Sequence, residues 1–282
     1  MCAYSGILRD WNEEYQSCRD LPAASLPDRI LRDRTLHRVY ADFVAAAVKG
    51  AQAIVHGNIP PINPGDPDRT HVYLYNNIFF SFAVDGRNMY KGMGINGDMV
   101  AYAVANHDLM GVTAYSELDL PKLHVLAHTV VNYRGHRVTC QSIIAGIFHD
   151  QTSEHLYGSM DNGRTIKNEP EFHKLLLEAA KKLHIAEHPV FDEAGSMTVI
   201  AAGYECKVSF PIVRLSLRSS SYMFVLHNVL PVGSVFEQTS NLGGILCDQG
   251  MSGSDRRRYV LDVTRLFPRD ANFPDAKVST HT

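Results

Sequence analysis

Apolar residues recur at three- and four-residue spacing from Leu36 to Val48, with Leu36, Val39, Tyr40, Phe43, Val44, Ala47 and Val48 on one stripe. That spacing predicts an amphipathic helix. Ser25 stands before it as a cap, Pro27 is tolerated in the first turn, and Asp28 follows the cap by three residues, as in a capping box. Gly50 is the expected terminator. The following GNIPPINPGDPDR cannot continue a helix. His71 to Val84 is apolar and aromatic, and its periodicity does not separate strand from buried helix. Gly86 to Asp108 reads as loop with one short helix.

From Leu123 the period changes to two. Leu123, Val125, Ala127, Thr129, Val131 and Tyr133 share one face, and His124, His128 and Asn132 lie on the other. The chain reverses at Tyr133-Arg134-Gly135-His136 and returns through Val138 to Ile144, a hairpin. A second hairpin is predicted to turn at Asp161-Asn162-Gly163 and return through Arg164-Thr165-Ile166. Asn168-Glu169-Pro170-Glu171 starts a helix that buries Phe172, Leu175, Leu176, Ala179 and Leu183. Tyr204 to Lys207 and Arg258 to Val263 read as further strands. These elements predict an α+β fold, a mostly antiparallel β-meander sheet packed with several α-helices.

The central hairpin also carries a resemblance. YRGHRVTCQSII followed by YGSMDNG resembles the signature of the Clu domain of the clustered mitochondria protein family. RDWNEE at Arg9, DFVAAA at Asp42, NNIFFS at Asn76 and YVLDVTRLFPRD at Tyr259 support it in the same order. The sequence departs from the family pattern at Ala145 and Arg269, where prolines are usual, and at Arg256, where the family has a turn glycine. A full-length member would carry a ubiquitin-like region before this stretch and helical repeats after it, so the chain is expected to be a single-domain product or a fragment. The expected organisation is an N-terminal segment over 1–24, a Clu-like domain over 25–273 and a tail over 274–282. Residues 208–249 are expected to interrupt the domain, because the family pattern stops at Glu205-Cys206-Lys207 and resumes at Gly250. A retained intron and a genuine loop both account for such an interruption.

Composition narrows the chemistry. Five cysteines, odd in number and never in a Cys-x-x-Cys pair, argue against a disulfide framework and a thiolate zinc site. No apolar run approaches the ~18 residues that span a bilayer, and the N-terminus lacks a signal-peptide pattern, so a cytoplasmic location without membrane insertion is expected. A net charge of −3 gives no global attraction to nucleic acid. Gly92-Met93-Gly94-Ile95-Asn96-Gly97 matches a dinucleotide fingerprint formally, but no buried strand precedes it. His124 and His128 have metal-pair spacing only on a helix, and they fall on a predicted strand as surface or partly buried side chains. Asp262 follows an apolar strand, where a phosphotransferase places a magnesium ligand, yet a phosphate-gripping loop and a paired strand lysine are missing. No catalytic residue, metal or cofactor is expected.

Basic residues remain. Arg134 and Arg137 bracket the hairpin reversal, and Arg256, Arg257 and Arg258 sit at a second predicted turn. With Tyr133 or Tyr259 they would offer guanidinium and aromatic surfaces suited to single-stranded RNA; a solvated turn with surface ion pairs is the alternative. Replacing both Arg134 and Arg137 should then weaken RNA retention and leave the fold intact. The resemblance implies a non-enzymatic cytosolic protein associated with mRNAs for mitochondrial proteins and with ribosome-associated proteins, acting in mitochondrial distribution. A kinase-like or nucleotide-binding fold with Asp262 as metal ligand, or a pure protein-interaction scaffold, are the competing readings.

Overall fold

The computed structural model describes residues 8–88, 96–147, 153–159, 165–185, 187–191, 195–201, 249–264 and 266. They form two compact units. The expected strand over Tyr204–Lys207, the turn at Asp161–Gly163, Gly92 and Gly94, Arg269 and nearly all of 208–249 lie outside the described residues.

The first unit begins with α1 (Trp11–Arg19), whose Asp10 cap accepts the Glu13 amide at 3.0 Å. A helix at this point was not expected, and its sequence explains why. Asn12 and Gln16, polar by composition, are buried, and Gln16 donates to the Asn12 side chain at 3.1 Å and the Val125 carbonyl at 2.8 Å. Trp11, 3% exposed, donates its indole N–H to the Asn76 carbonyl at 2.8 Å. Arg9 lies over the Trp11 ring at 4.2 Å and pairs with Glu14 and Asp42, tying α1 to α2 (Leu26–Val55).

Helix α2 starts as expected, with the Ser25–Asp28 capping box formed and Pro27 in the first turn. It does not stop at Gly50 but runs to Val55. Gly50 instead serves close packing, since a Cβ there would stand 2.4 Å from Cζ of Phe80. The ambiguous apolar stretch resolves into β1 (Val72–Tyr75) and β2 (Ile78–Phe82). Asn76 and Asn77 join them with both φ values positive, 51° and 55°, the backbone of a two-residue hairpin loop.

Strands β3 (His128–Tyr133) and β4 (His136–Ser142) form the expected hairpin, and Leu123–Ala127 leads into it as buried chain outside the strand. The sheet order is β1-β2-β4-β3, so two hairpins stand side by side with β2 against β4, in place of a simple sequential meander. One face packs on α2 through Phe43, Ala47, Ala51, Ile54, Ile78, Phe80, Val131, Val138 and Cys140. His124 and His128 are more buried than the sequence indicated, at 9% and 2% exposure. Burial pushes His128 down to about 4, so its ring is neutral at pH 7. Between β2 and β3 the chain forms a helix longer than expected, α3 (Gly97–Leu118); its residues through Ala105 belong to the first unit and those from Asn106 to the second.

In the second unit the sheet order is β10-β9-β5-β6, formed by β5 (Glu154–Gly158), β6 (Lys167–Asn168), β9 (Gln249–Ser252) and β10 (Arg258–Leu261). A separate hairpin pairs β7 (His188–Phe191) with β8 (Met197–Ile200). Helix α4 (Pro170–Leu183) forms where expected, with Glu169 accepting the Glu171 and Phe172 amides. Its buried Phe172 stands 5.6 Å from the fully buried Tyr157 ring on β5. Gln249, at the expected edge of the interruption, is a strand residue that pairs with Leu261 and donates to the Ser159 carbonyl at 3.1 Å. The α+β class and the antiparallel pairing agree with expectation.

Candidate nucleic-acid interface

The reversal between β3 and β4 is a two-residue loop, Arg134-Gly135, closed by the pairing of Tyr133 with His136. Both loop residues have positive φ, 49° at Arg134 and 80° at Gly135. Glycine meets that geometry without strain, whereas an arginine there costs about 1 kcal/mol or more. The exposed Arg134 guanidinium stands 5.5 Å from the centroid of the half-buried Tyr133 ring. The Tyr133 hydroxyl lies 3.3 Å from Nε2 of His56, at the C-cap of α2, and the two rings meet edge-to-face at 5.6 Å. Arg134 and Tyr133 thus lie together at the tip, the guanidinium exposed and the ring half-buried against the core.

Arg137 behaves differently. Period-2 alternation sends it to the opposite face of the sheet from His136 and Val138. It is 9% exposed, lies 3.2 Å from the centroid of Tyr102, and donates to the Tyr102 carbonyl and to Oδ1 of Asn132, both at 2.9 Å. Its charge holds the first turns of α3 to the sheet within the first unit. The reading of Arg137 as a surface partner of Arg134 is thus corrected.

The other basic cluster divides as well. Arg256 is exposed with φ 63°, in the region where a glycine is at ease, a geometry that suits the turn glycine expected there from the resemblance. Arg257 is half-buried, and Tyr259, expected as an aromatic surface beside this cluster, is instead a fully buried core residue of β10. Arg258 is committed to α4 within the second unit, 2.5 Å from Glu171 and 3.8 Å from Glu169. Its hydrogen bond holds the Glu171 carboxyl below the usual range. Asp262 follows β10 with φ 55°, and the described residues contain no group of three or more His, Cys, Asp or Glu side chains placed to hold a metal ion.

Sequence reasoning missed the rings that extend the Tyr133 surface. His136 lies 5.5 Å from Phe82, Phe82 lies 5.9 Å from Tyr73, and Tyr73 lies 6.4 Å from His71. Only His136, adjacent to the reversal, carried a local signal. The rest come from strands whose order in the sheet differs from their order in the chain.

Among the described residues no helix is long and apolar enough to cross a membrane. Residues 10–236 match the family described as Clustered mitochondria. The chain is 38% identical over 305 aligned residues to the Clustered mitochondria protein of Arabidopsis thaliana, covering 95% of this chain and 19% of that protein. It is 37% identical over 279 residues to Protein clueless of Drosophila persimilis, covering 98% of this chain and 16% of that one. The Clustered mitochondria protein homolog of Danio rerio is 38% identical over 269 residues, 95% of this chain and 16% of its own length. No solved structure matches. The chain spans less than a fifth of the length of these relatives. The family match covers most of its residues, and the chain belongs to the Clustered mitochondria family.

Proposed function

We propose that this chain is a non-enzymatic binding domain that acts in mitochondrial distribution from the cytoplasm, by holding mRNAs for mitochondrial proteins and associating with the translation machinery. The name shared by its relatives, Clustered mitochondria protein, supports the first part. One observation carries the second: an arginine held at positive φ on an exposed hairpin tip, beside a tyrosine ring. Strained backbone at an exposed position is characteristic of functional surfaces, and guanidinium with aromatic groups is the chemistry that grips single-stranded RNA. Crosslinking in cells followed by sequencing of bound RNA tests the reading. Transcripts for mitochondrial proteins should be recovered with the parent chain and depleted with Arg134→Ala at equal protein level. Equal recovery from both, or none from the parent, would refute it.

A further inference from the structure

Resting on that reading, we propose that one end of the first sheet is a base-stacking platform for a short run of unpaired nucleotides. Each strand of the β1-β2-β4-β3 sheet contributes one ring, in spatial order: Tyr73, Phe82, His136 and Tyr133. Successive ring centroids stand 5.9 Å apart for Tyr73–Phe82 and 5.5 Å for Phe82–His136, and Tyr133 faces His136 in the strand register. His71 prolongs the row beyond Tyr73, and His56 prolongs it beyond Tyr133. The row lies at the rim of the core: Tyr73, Phe82 and Tyr133 are half-buried and pack one side against the cluster beneath α2, His71 is half-buried, and His56, Arg134 and His136 are exposed.

Neighbouring rings meet at interplanar angles of 87°, 59° and 84°, so the row does not close on itself as a stacked column. With strands about 4.8 Å apart, four of them give a row roughly 14 Å across. A four-stranded platform of that kind stacks roughly two or three bases. Charge orients the strand. At one end Arg134 stands ready for a phosphate. At the other, Nε2 of His71 lies 3.9 Å from Asp68 and 2.9 Å from the Asp66 carbonyl, so that end disfavours one. A ligand recognised through its base faces must present them, which excludes a duplex, where they are covered by stacking.

The test uses the full 282-residue chain and fluorescence anisotropy with a labelled single-stranded hexaribonucleotide and its duplex. The single strand should bind at least about tenfold more tightly than the duplex. His136→Ala, at an exposed position, and Tyr133→Leu, checked for folding by its melt, should each weaken it about 5- to 150-fold, the range for one lost stacking partner. If single strand and duplex bind alike and only Arg134→Ala weakens them, the platform is wrong and the arginine-based reading stands. If the parent chain binds neither at low salt, the RNA reading and the platform fall together.

Discussion

Replacing Arg137 with alanine should cost the fold about 2 kcal/mol. The guanidinium makes hydrogen bonds of 2.9 Å to the Tyr102 carbonyl and 2.9 Å to Asn132, and it covers the Tyr102 ring. A hydrogen bond from a charged donor contributes about 1.5–3 kcal/mol, and a cation–π contact about 0.5–2 kcal/mol. The sum overstates the loss. Asn132 is exposed, so its oxygen regains water once the arginine is gone, and that bond counts for little. What remains is the bond to Tyr102 and the ring contact, about 2–5 kcal/mol together, and because Tyr102 is itself exposed the loss falls at the low end, about 2 kcal/mol. At roughly 2–4 °C per kcal/mol for a chain of this size, the melting temperature should fall by about 4–8 °C. Arg137→Lys should recover only part, because an ammonium lacks the planar fork. Urea denaturation of Arg137→Ala beside Arg134→Ala measures this. Arg137→Ala within about 0.5 kcal/mol of the parent would refute the assignment of Arg137 to the fold.

Three further outcomes are expected. Arg134→Asn relieves a left-handed arginine at φ 49°, and should raise stability by up to about 1 kcal/mol in a thermal melt while weakening RNA binding. Gly111→Ala, which in an ordinary helix would stabilise, should destabilise by about 1–3 kcal/mol in urea, because the new Cβ would stand 2.2 Å from the Val263 carbonyl oxygen. Asp108 is half-buried as a residue, but its Oδ1 is sealed from solvent, and burial pushes its carboxyl up to about 7. A folded pKa above the unfolded ~3.9 means that its contribution to stability is full below about pH 4 and is lost as pH rises through about 7. Urea stability of Asp108→Asn should accordingly fall less than that of the parent between pH 4 and 7, and parallel profiles would contradict this.

Helices α2 and α4 were legible because their caps and apolar stripes are local. The extent of α3 was not. Its buried positions include Ala101, Ala105 and Gly111, small residues that pack closely yet barely register as a hydrophobic stripe. Helix α1 was hidden by the opposite effect, since Asn12 and Gln16 occupy buried positions and are satisfied by bonds to partners distant in sequence. Strands β1 and β2 stayed ambiguous because IFFSF is buried or half-buried at every position, which erases the alternation.

The site was legible only at its tip. Tyr133 and Arg134 adjoin in sequence, so their pairing follows from the turn itself. Phe82 and Tyr73 reach the same surface through the β2–β4 pairing, a long-range event that no local pattern announces. Arg137 lies two residues beyond the turn and is nevertheless buried, so closeness to a turn does not imply exposure. Its register with Asn132 puts it on the face that the start of α3 covers.

On the proposed reading, RNA is held at the Tyr133–Arg134 end of the first sheet. Ultraviolet crosslinking of the chain to RNA in cells, with mass spectrometry of the nucleotide-bearing peptides, tests it most directly. Modified peptides should contain Tyr133, His136, Phe82 or Tyr73. Crosslinks confined to other segments, or none above an unirradiated control, would contradict it.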